Sequence, residues 1–408
     1  MINTLKFKIA LRNILRHRLR SLLSVIIIAG SIISIVVFRG FTQYSLGTVK
    51  KIASENQYGH LQIAKEKYWR PGSESRLERL INLEDVKVLR NKFPSIEKIS
   101  GRLSFYGLAS GSDVSVTGQF VGIDIDIEDQ FSKSMKILSG NYFSSSDSDE
   151  VLIGNLIAQQ INVKAGDTIT VLNSTVDGVT NALDLKVSGV ITAGIDEVDA
   201  RIIYLPLKTA QSLLDTTLVD LAVIKFNDVK LADTLFSEMA MEAKNINSEL
   251  KPYTWRDLSL VFKQTKNFYK VQNAIVESII LMLMFLGIVN SVSMTIIERT
   301  GEIGTLRSLG ETKRGIISQF ILESLIISVF GVIAGILLSY ATIQFVHWLN
   351  IITDIPGAST PFQIKVVFMY YAVIYAVALT VTTTLIATFI PALHSTKMTV
   401  VDALRKNI

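Results

Sequence analysis

Four long windows of this 408-residue chain carry no charge: Ser21–Phe38, Ser278–Ile297, Ser324–Val346 and Val366–Leu393. At 1.5 Å per residue each is long enough to cross most of a bilayer core. A buried helix in a soluble protein seldom stays uncharged for about 18 residues, so the pattern predicts four transmembrane helices. Ahead of the first window, Arg12, Arg16 and Arg20 recur every four residues beside Leu11, Leu15 and Leu19. That spacing predicts an amphipathic helix lying along the inner leaflet and feeding into the first span.

Between Gln43 and Lys270 the composition is that of a soluble domain. Alternating or β-rich stretches recur at Gly59–Ile63, Val114–Val121, Thr168–Leu172, Leu183–Ile191, Arg201–Leu205 and Leu218–Phe226. Helical signals lie among them, at Asn82–Lys92 behind a plausible cap, Gly154–Ile161, Leu207–Leu214 and Leu231–Lys244. Strand and helix without strict alternation argue for α+β. Asp177-Gly178 reads as a hairpin turn and Ala165-Gly166-Asp167 as a turn tolerant of positive φ. The acidic run Ser144–Glu150 lacks the spaced ligands and glycine of a calcium loop and reads as a solvated loop.

Short-loop cations set the orientation. Lys6, Lys8, Arg12, Arg16, Arg18 and Arg20 precede the first span, and Arg299, Arg307, Lys313 and Arg314 lie between the second and third. Lys397, Arg405 and Lys406 follow the fourth, whereas Asn350–Lys365 offers only Lys365. Both termini are expected inside and the large domain outside. The first window is longer than a signal-peptide core and no A-x-A site follows it, so an uncleaved anchor is expected. The net charge of +5 is no argument for nucleic acid, because basic residues cluster beside the first span, where lipid headgroups favour them. Glu277 and Glu323, at the starts of spans two and three, read as structural or interfacial carboxylates.

Catalytic chemistry finds little support. The chain has no cysteine, which removes disulfides and thiol catalysis, and its histidines, His17, His60, His347 and His394, are scattered. No G-x-S-x-G, H-E-x-x-H or Walker A pattern occurs, so the chain is not expected to hydrolyse ATP.

The most specific stretch is Ile296–Gly315, with four basic and three acidic residues at helical spacing between two apolar windows. Its core, Glu298-Arg299-Thr300-Gly301-Glu302-Ile303-Gly304-Thr305-Leu306-Arg307-Ser308-Leu309-Gly310, resembles the E-R-x-x-E-I-x-x-L-R-x-x-G coupling segment of ABC permeases in the MacB/FtsX/LolC-LolE superfamily. Pro391-Ala392-Leu393-His394-Ser395 and Val401-Asp402-Ala403-Leu404-Arg405 resemble that family's closing signatures, with Ser395 in place of the usual alanine. Gly122-Ile123-Asp124 and Val151–Asp167 are similar to family segments of the outside domain. Gly59–Ile63 and Tyr253–Asp257 lean toward the LolC/LolE branch.

The resemblance covers essentially the whole chain. It implies a cytoplasmic amphipathic helix (1–20), a first span (21–42) and a periplasmic α+β domain (43–272) between spans one and two, with an inserted β-rich lobe near 121–216. A second span (273–297), a coupling helix (298–315), a third span (316–347), a short periplasmic loop (348–365), a fourth span (366–393) and a cytoplasmic tail (394–408) would follow. Glu298, Arg299, Glu302, Ile303, Leu306, Arg307 and Gly310 would meet a cytoplasmic ATPase dimer, which binds the ATP and magnesium; no cofactor is expected on this chain. Length argues against a covalently attached ATPase. A second permease, the same chain or a relative, and membrane lipids would complete the assembly in a bacterial inner membrane. Extraction of lipoproteins for a periplasmic carrier is the leading implication. Efflux of peptides or drugs through an adaptor, or FtsX-like control of a cell-wall hydrolase, are the alternatives.

Overall fold

The computed structural model describes residues 10–69, 76–111, 114–127, 136–194, 196–353 and 362–395. Lys6, Lys8, Lys397, Arg405, Lys406 and the signature at 401–405 lie outside them. The chain divides into two compact units. One joins Met1–Leu46, Lys266–Ile351 and Gln363–Ile408; the other joins Gly47–Thr265 and Ile352–Phe362.

Four helices among the described residues are long and apolar enough to cross a membrane. They are α1 (Arg18–Lys51), α2 (Leu260–Glu298), α4 (Lys313–Leu349) and α5 (Tyr370–Ser395), with the short α3 (Thr300–Ser308) between α2 and α4. Their limits differ from those of the expected spans. α1 runs nine residues past the expected end at 42 and α2 starts thirteen residues before 273, while α5 begins at Tyr370 rather than 366. The segment before Tyr370 is apolar but has no helical structure; its backbone lies against α1 instead, with Val367 N–H donating to Gly40 at 3.3 Å. Hydropathy sees apolar length and cannot see where backbone pairing changes.

The bundle core is Ile28, Ile32, Ile35 and Val36 of α1 against Met284 and Ile288 of α2, Ile343 of α4 and Ala376 and Ala387 of α5. α1 and α4 meet at Gly331 and Gly335, a G-x-x-x-G pair. A Cβ on Gly335 would stand 2.9 Å from Ile32 Cβ and 3.2 Å from the Ala29 backbone. Small residues matter here because lipid supplies no hydrophobic drive between helices, so close backbone approach must supply the packing.

The β domain holds one ten-stranded sheet in the order β10-β1-β9-β2-β3-β8-β5-β7-β4, with β6 paired to β2 and β7. The strands are β1 (Leu61–Lys65), β2 (Ile96–Ser110), β3 (Ser115–Ile123), β4 (Lys136–Gly140), β5 (Glu150–Gly154), β6 (Thr168–Ser174), β7 (Thr180–Thr192), β8 (Ile202–Pro206), β9 (Leu221–Phe226) and β10 (Leu250–Thr254). Pairing is antiparallel except for β3 with β8 and β5 with β7. The six expected strands are present, but β2, β4, β5 and β10 went unrecognised. β2 contains Gly101 and Gly107 and β10 contains Pro252, which blur the alternation that marks a strand. Helices form at Asn155–Gln160 and Leu207–Leu214 as expected, whereas the expected Asn82–Lys92 and Leu231–Lys244 are each broken in two, at Val88 and Leu235; Asn82 accepts the N–H of Glu84 at 3.1 Å. Gly178 adopts φ +85 in the β6–β7 hairpin turn.

Segment 121–216 supplies β4–β8, which are hydrogen-bonded through β8 to β3 and share the main core with the remainder of the sheet. That core covers one face, where Phe105 and Phe120 are paired across β2–β3 with rings 5.0 Å apart. Helices Leu207–Leu214 and Phe236–Ile246 contribute Ala210, Leu213, Met239 and Ala243 to it. His60 is buried beside Phe226, whose N–H donates to its Nδ1 at 3.1 Å. Burial first, and Lys225 second, push its pKa down to about 4 from 6.5.

Two outcomes are expected. Gly335→Val should lower the thermal stability of the chain in detergent by roughly 1–3 kcal/mol through overpacking, whereas Gly30→Ala, with open space around it, should not lower it. His60 stays neutral when folded, so its contribution is complete above pH 6.5 and is lost as pH falls toward 4. The domain's melting midpoint should drop across that window, by at most about 3 kcal/mol in stability, and His60→Gln should flatten the slope.

Candidate functional site: a buried ionic junction beneath an exposed apolar cap

α2 ends at Glu298, and Arg299 departs from helical geometry with φ −99 and ψ 15 before α3 begins at Thr300. Glu298, Arg299 and Glu302 therefore do not share one helix, as the spacing predicted; the break falls at Arg299. α3 closes on Gly310 at φ +94, with Gly310 N–H donating to Arg307 and Glu311 N–H to Leu306 at 3.1 and 3.0 Å. This is a Schellman closure, and it explains the glycine, because an L side chain resists that φ. Thr312 then caps α4 by accepting from Gly315 N–H at 3.1 Å.

The break at Arg299 places its guanidinium inside. One Nη donates to both oxygens of Glu323 on α4 at 3.0 Å, and Nε donates to Glu302 at 3.1 Å. Arg299 and Glu323 are each only 7% exposed. Asn13, in the helical stretch ahead of α1, donates to Glu323 at 2.7 Å. Arg20 forks onto Glu298 at 2.7 and 2.5 Å, and Arg16 reaches Glu302 at 3.0 Å. Below lies a small apolar cluster of Ile296, Ile303, Ile316, Phe320 and Ala392.

The candidate residues thus sort into two groups. Arg299 and Ile303 are buried, Glu298 is held by Arg20 of α1, and Glu302 by Arg16 of the helical stretch ahead of it. Leu306 faces outward at 38% exposure, and Arg307 is half-buried. Gly310, Glu311, Lys313 and Arg314 are exposed, and Leu309 is 79% exposed. Leu309 was not among the expected contacts; its signal was an apolar side chain directly before the closing glycine of a charged loop. The roles of Asn13, Arg16 and Arg20 were also missed, because the arginine repeat reads equally well as a lipid-facing pattern. In the structure Leu11, Leu15 and Leu19 are exposed while Arg16 and Arg20 point to acids on α2 and α3.

A second ionic cluster sits at the other end of the bundle. Arg39 of α1 donates to Glu277 of α2 at 2.5 and 3.1 Å and lies 3.9 Å from the ring centre of Tyr375 on α5. The Tyr375 hydroxyl donates to the same carboxylate at 3.1 Å. From Arg20 to Arg39 is about 28 Å along α1, close to the roughly 30 Å of a hydrocarbon core. The polar clusters thus stand where the two membrane interfaces would lie. Among the described residues, no three potential metal ligands converge.

The family model for the FtsX-like permease C-terminal region matches residues 274–400, and that for the MacB-like periplasmic core domain matches residues 21–240, over half of the chain. The chain belongs to the MacB/FtsX superfamily of ABC transporter permeases. It is 23% identical to the macrolide export ATP-binding/permease protein MacB of Campylobacter jejuni over 98% of this chain, and spans 61% of that relative's length. It is 23% identical to the uncharacterized ABC transporter permease YknZ of Bacillus subtilis, covering 82% of this chain and 84% of that one. With LolC of the Neisseria meningitidis lipoprotein-releasing system it shares 24% identity over 46% of each. A membrane permease with an extracytoplasmic domain follows from the family and the four apolar helices.

Removing Arg299 from this permease leaves Glu323 buried and unpaired. Arg299→Ala should cost about 3–5 kcal/mol in thermal unfolding of the purified chain. Arg299→Met with Glu323→Met should recover most of the loss; a double variant as unstable as the single one would show that the pair is not the cause.

Proposed function

We propose that this chain is the permease subunit of a MacB-like transporter, and that it converts ATP hydrolysis on a separate cytoplasmic ATPase into movement of its extracytoplasmic domain. Both termini face the cytoplasm in this reading, as the excess of short-loop arginine and lysine supports. The observation that carries the proposal is the cap formed by Leu306, Leu309 and the Gly310 closure, exposed above a rigid ionic base. An exposed leucine in a charged turn is suited to fill an apolar socket on a partner. The Arg299 junction beneath it would pass a push on α3 to α2 and α4, through Arg20 to α1, and through Asn13 and Arg16 to the stretch ahead of α1.

α2 is a single 39-residue helix, about 58 Å long at 1.5 Å per residue. Displacement at its Glu298 end therefore needs no further joint to travel its length. The largely apolar span interiors support transmission of work over passage of a polar solute. The ATPase would act as a dimer carrying ATP and magnesium, with a second permease completing the assembly.

For cargo, we take extraction of lipoproteins from the inner membrane, supported by the likeness to LolC and by span surfaces suited to acyl chains. Efflux through an adaptor is the second reading, favoured by the MacB relative's match to 98% of the chain. Purification in mild detergent with the candidate ATPase, followed by mass spectrometry, separates them. Triacylated lipoproteins released on adding ATP support extraction, and an adaptor without lipoprotein supports efflux. Leu309→Asp should weaken ATPase capture by roughly 10- to 100-fold, as loss of a buried leucine implies, with the melting midpoint unchanged. Undiminished capture would remove the cap from the mechanism.

A further inference from the structure

Among the aliphatic contacts of the bundle runs one polar seam. The buried small residues of α4 are Ser324, Ser328, Gly331, Gly335 and Ser339, and α5, which packs along α4, buries Ala376, Thr380, Thr384, Thr388 and Ala392. A serine or threonine inside a helix can fold its hydroxyl back onto the carbonyl four residues earlier. Ser31, Ser278, Thr295, Ser339, Thr382 and Thr384 all do so in this bundle, at 2.6 to 2.9 Å. Ser328, Thr380 and Thr388 do not. Each is at most 1% exposed, and its hydroxyl has no partner among the described residues.

At the Arg299 end of this seam lies a cavity of ≈ 50 Å³. All four spans supply it with a hydroxyl, from Ser24, Ser291, Ser324 and Thr384, and Arg299 and Glu323 stand at its wall. A water needs about 10–15 Å³ of such space and two to four polar partners, so the cavity offers room and partners for a few. Ser328 lies one turn beyond Ser324, and Thr380 one turn beyond Thr384, both toward the Arg39 end of the bundle. From Ala392, clustered with Phe320, to Thr380 is about 18 Å along α5, over half of a roughly 30 Å hydrocarbon core. Beyond Thr380 the open hydroxyls stop. α5 continues in Ala376 and Ala372, and the Ser339 hydroxyl of α4 donates to its own Gly335 carbonyl. Lipid supplies no acceptor to a buried hydroxyl, so three left unbonded at this depth are costly. Water reaching them from the cavity would remove that cost.

We propose that the inner half of the membrane unit binds a file of water, running from the cavity at Arg299 and Glu323 between α4 and α5 as far as Thr380, and that the outer half is dry. The file ends inside the bundle and is no path across it. It stands on the four apolar helices alone, whether or not an ATPase drives the chain. Its use in coupling rests on the function proposed above. Hydroxyls bonded to water exchange partners as helices shift, so the Glu298 end of the bundle can move while the Arg39–Glu277–Tyr375 cluster keeps its register.

Because the chain has no cysteine, Ser324→Cys, Ser328→Cys and Thr380→Cys each place a sole thiol on the file. Ser339→Cys and Ala372→Cys, at positions with no exposed surface, place one in the outer half as controls. The full chain in nanodiscs is treated with silver ion, a thiol reagent close to water in size that does not enter lipid. Thiols left unreacted are then counted with maleimide after denaturation. The expected result is blocking several-fold faster at the three file positions than at the two controls. Where a file variant melts below the parent chain, Thr384→Cys, on the cavity wall, takes its place. Any file position blocked as slowly as the controls, or controls blocked as fast as the file, overturns the proposal.

Discussion

A single buried ion pair, Arg299 with Glu323, ties the break between α2 and α3 to α4. Taking both charges out of water is expensive, and the cost is offset only where geometry and extra hydrogen bonds are good. Here the guanidinium bridges both carboxylate oxygens, Glu302 takes its remaining edge, and Asn13 donates to Glu323. The consequence is positional. Arg299 contacts Glu323 from the residue at which the chain leaves α-helical geometry, so the pair and the α2–α3 break coincide. With the break in place, α3 turns its Ile303 side onto Ile296, Ile316 and Phe320 and its Leu306–Leu309 end outward.

The two ends of the bundle use the same solution with different parts. Glu277 is held by Arg39 and Tyr375, Glu323 by Arg299 and Asn13, and in each case residues of three different segments converge. Between these clusters the contacts are aliphatic, with Gly331 and Gly335 admitting α1 close to α4. Apolar packing in lipid fixes distance but tolerates sliding, whereas a bidentate ion pair fixes register. Clusters about 28 Å apart therefore hold the helices in one alignment while leaving the middle free of charge.

The β domain divides its labour by face. One face is filled by Phe105, Phe120 and two helices and gives the sheet its stability. The other carries Arg102, Arg201, Tyr58, Trp69 and Tyr204 around a cleft. Alternation along each strand permits this, since neighbouring side chains face opposite ways.

The sequence by itself determined the four apolar helices, the α+β character of the domain, and several strands and turns. Each of these rests on local signals: uncharged length, period-two alternation or Asp177-Gly178. Tertiary structure alone decided which charges of the Glu298–Gly310 motif are buried. Glu298, Arg299 and Glu302 read as a surface-presented cluster, yet their partners, Arg20, Glu323 and Arg16, are 278, 24 and 286 residues away. Leu309 became the exposed residue only once the Gly310 closure set its direction, and β2 became legible as a strand only through pairing with β3, β6 and β9. The physical reason is the same in each case. Backbone preference and apolar patterning act over a few residues, whereas burial of a charge is decided by whichever distant group is brought close enough to compensate it.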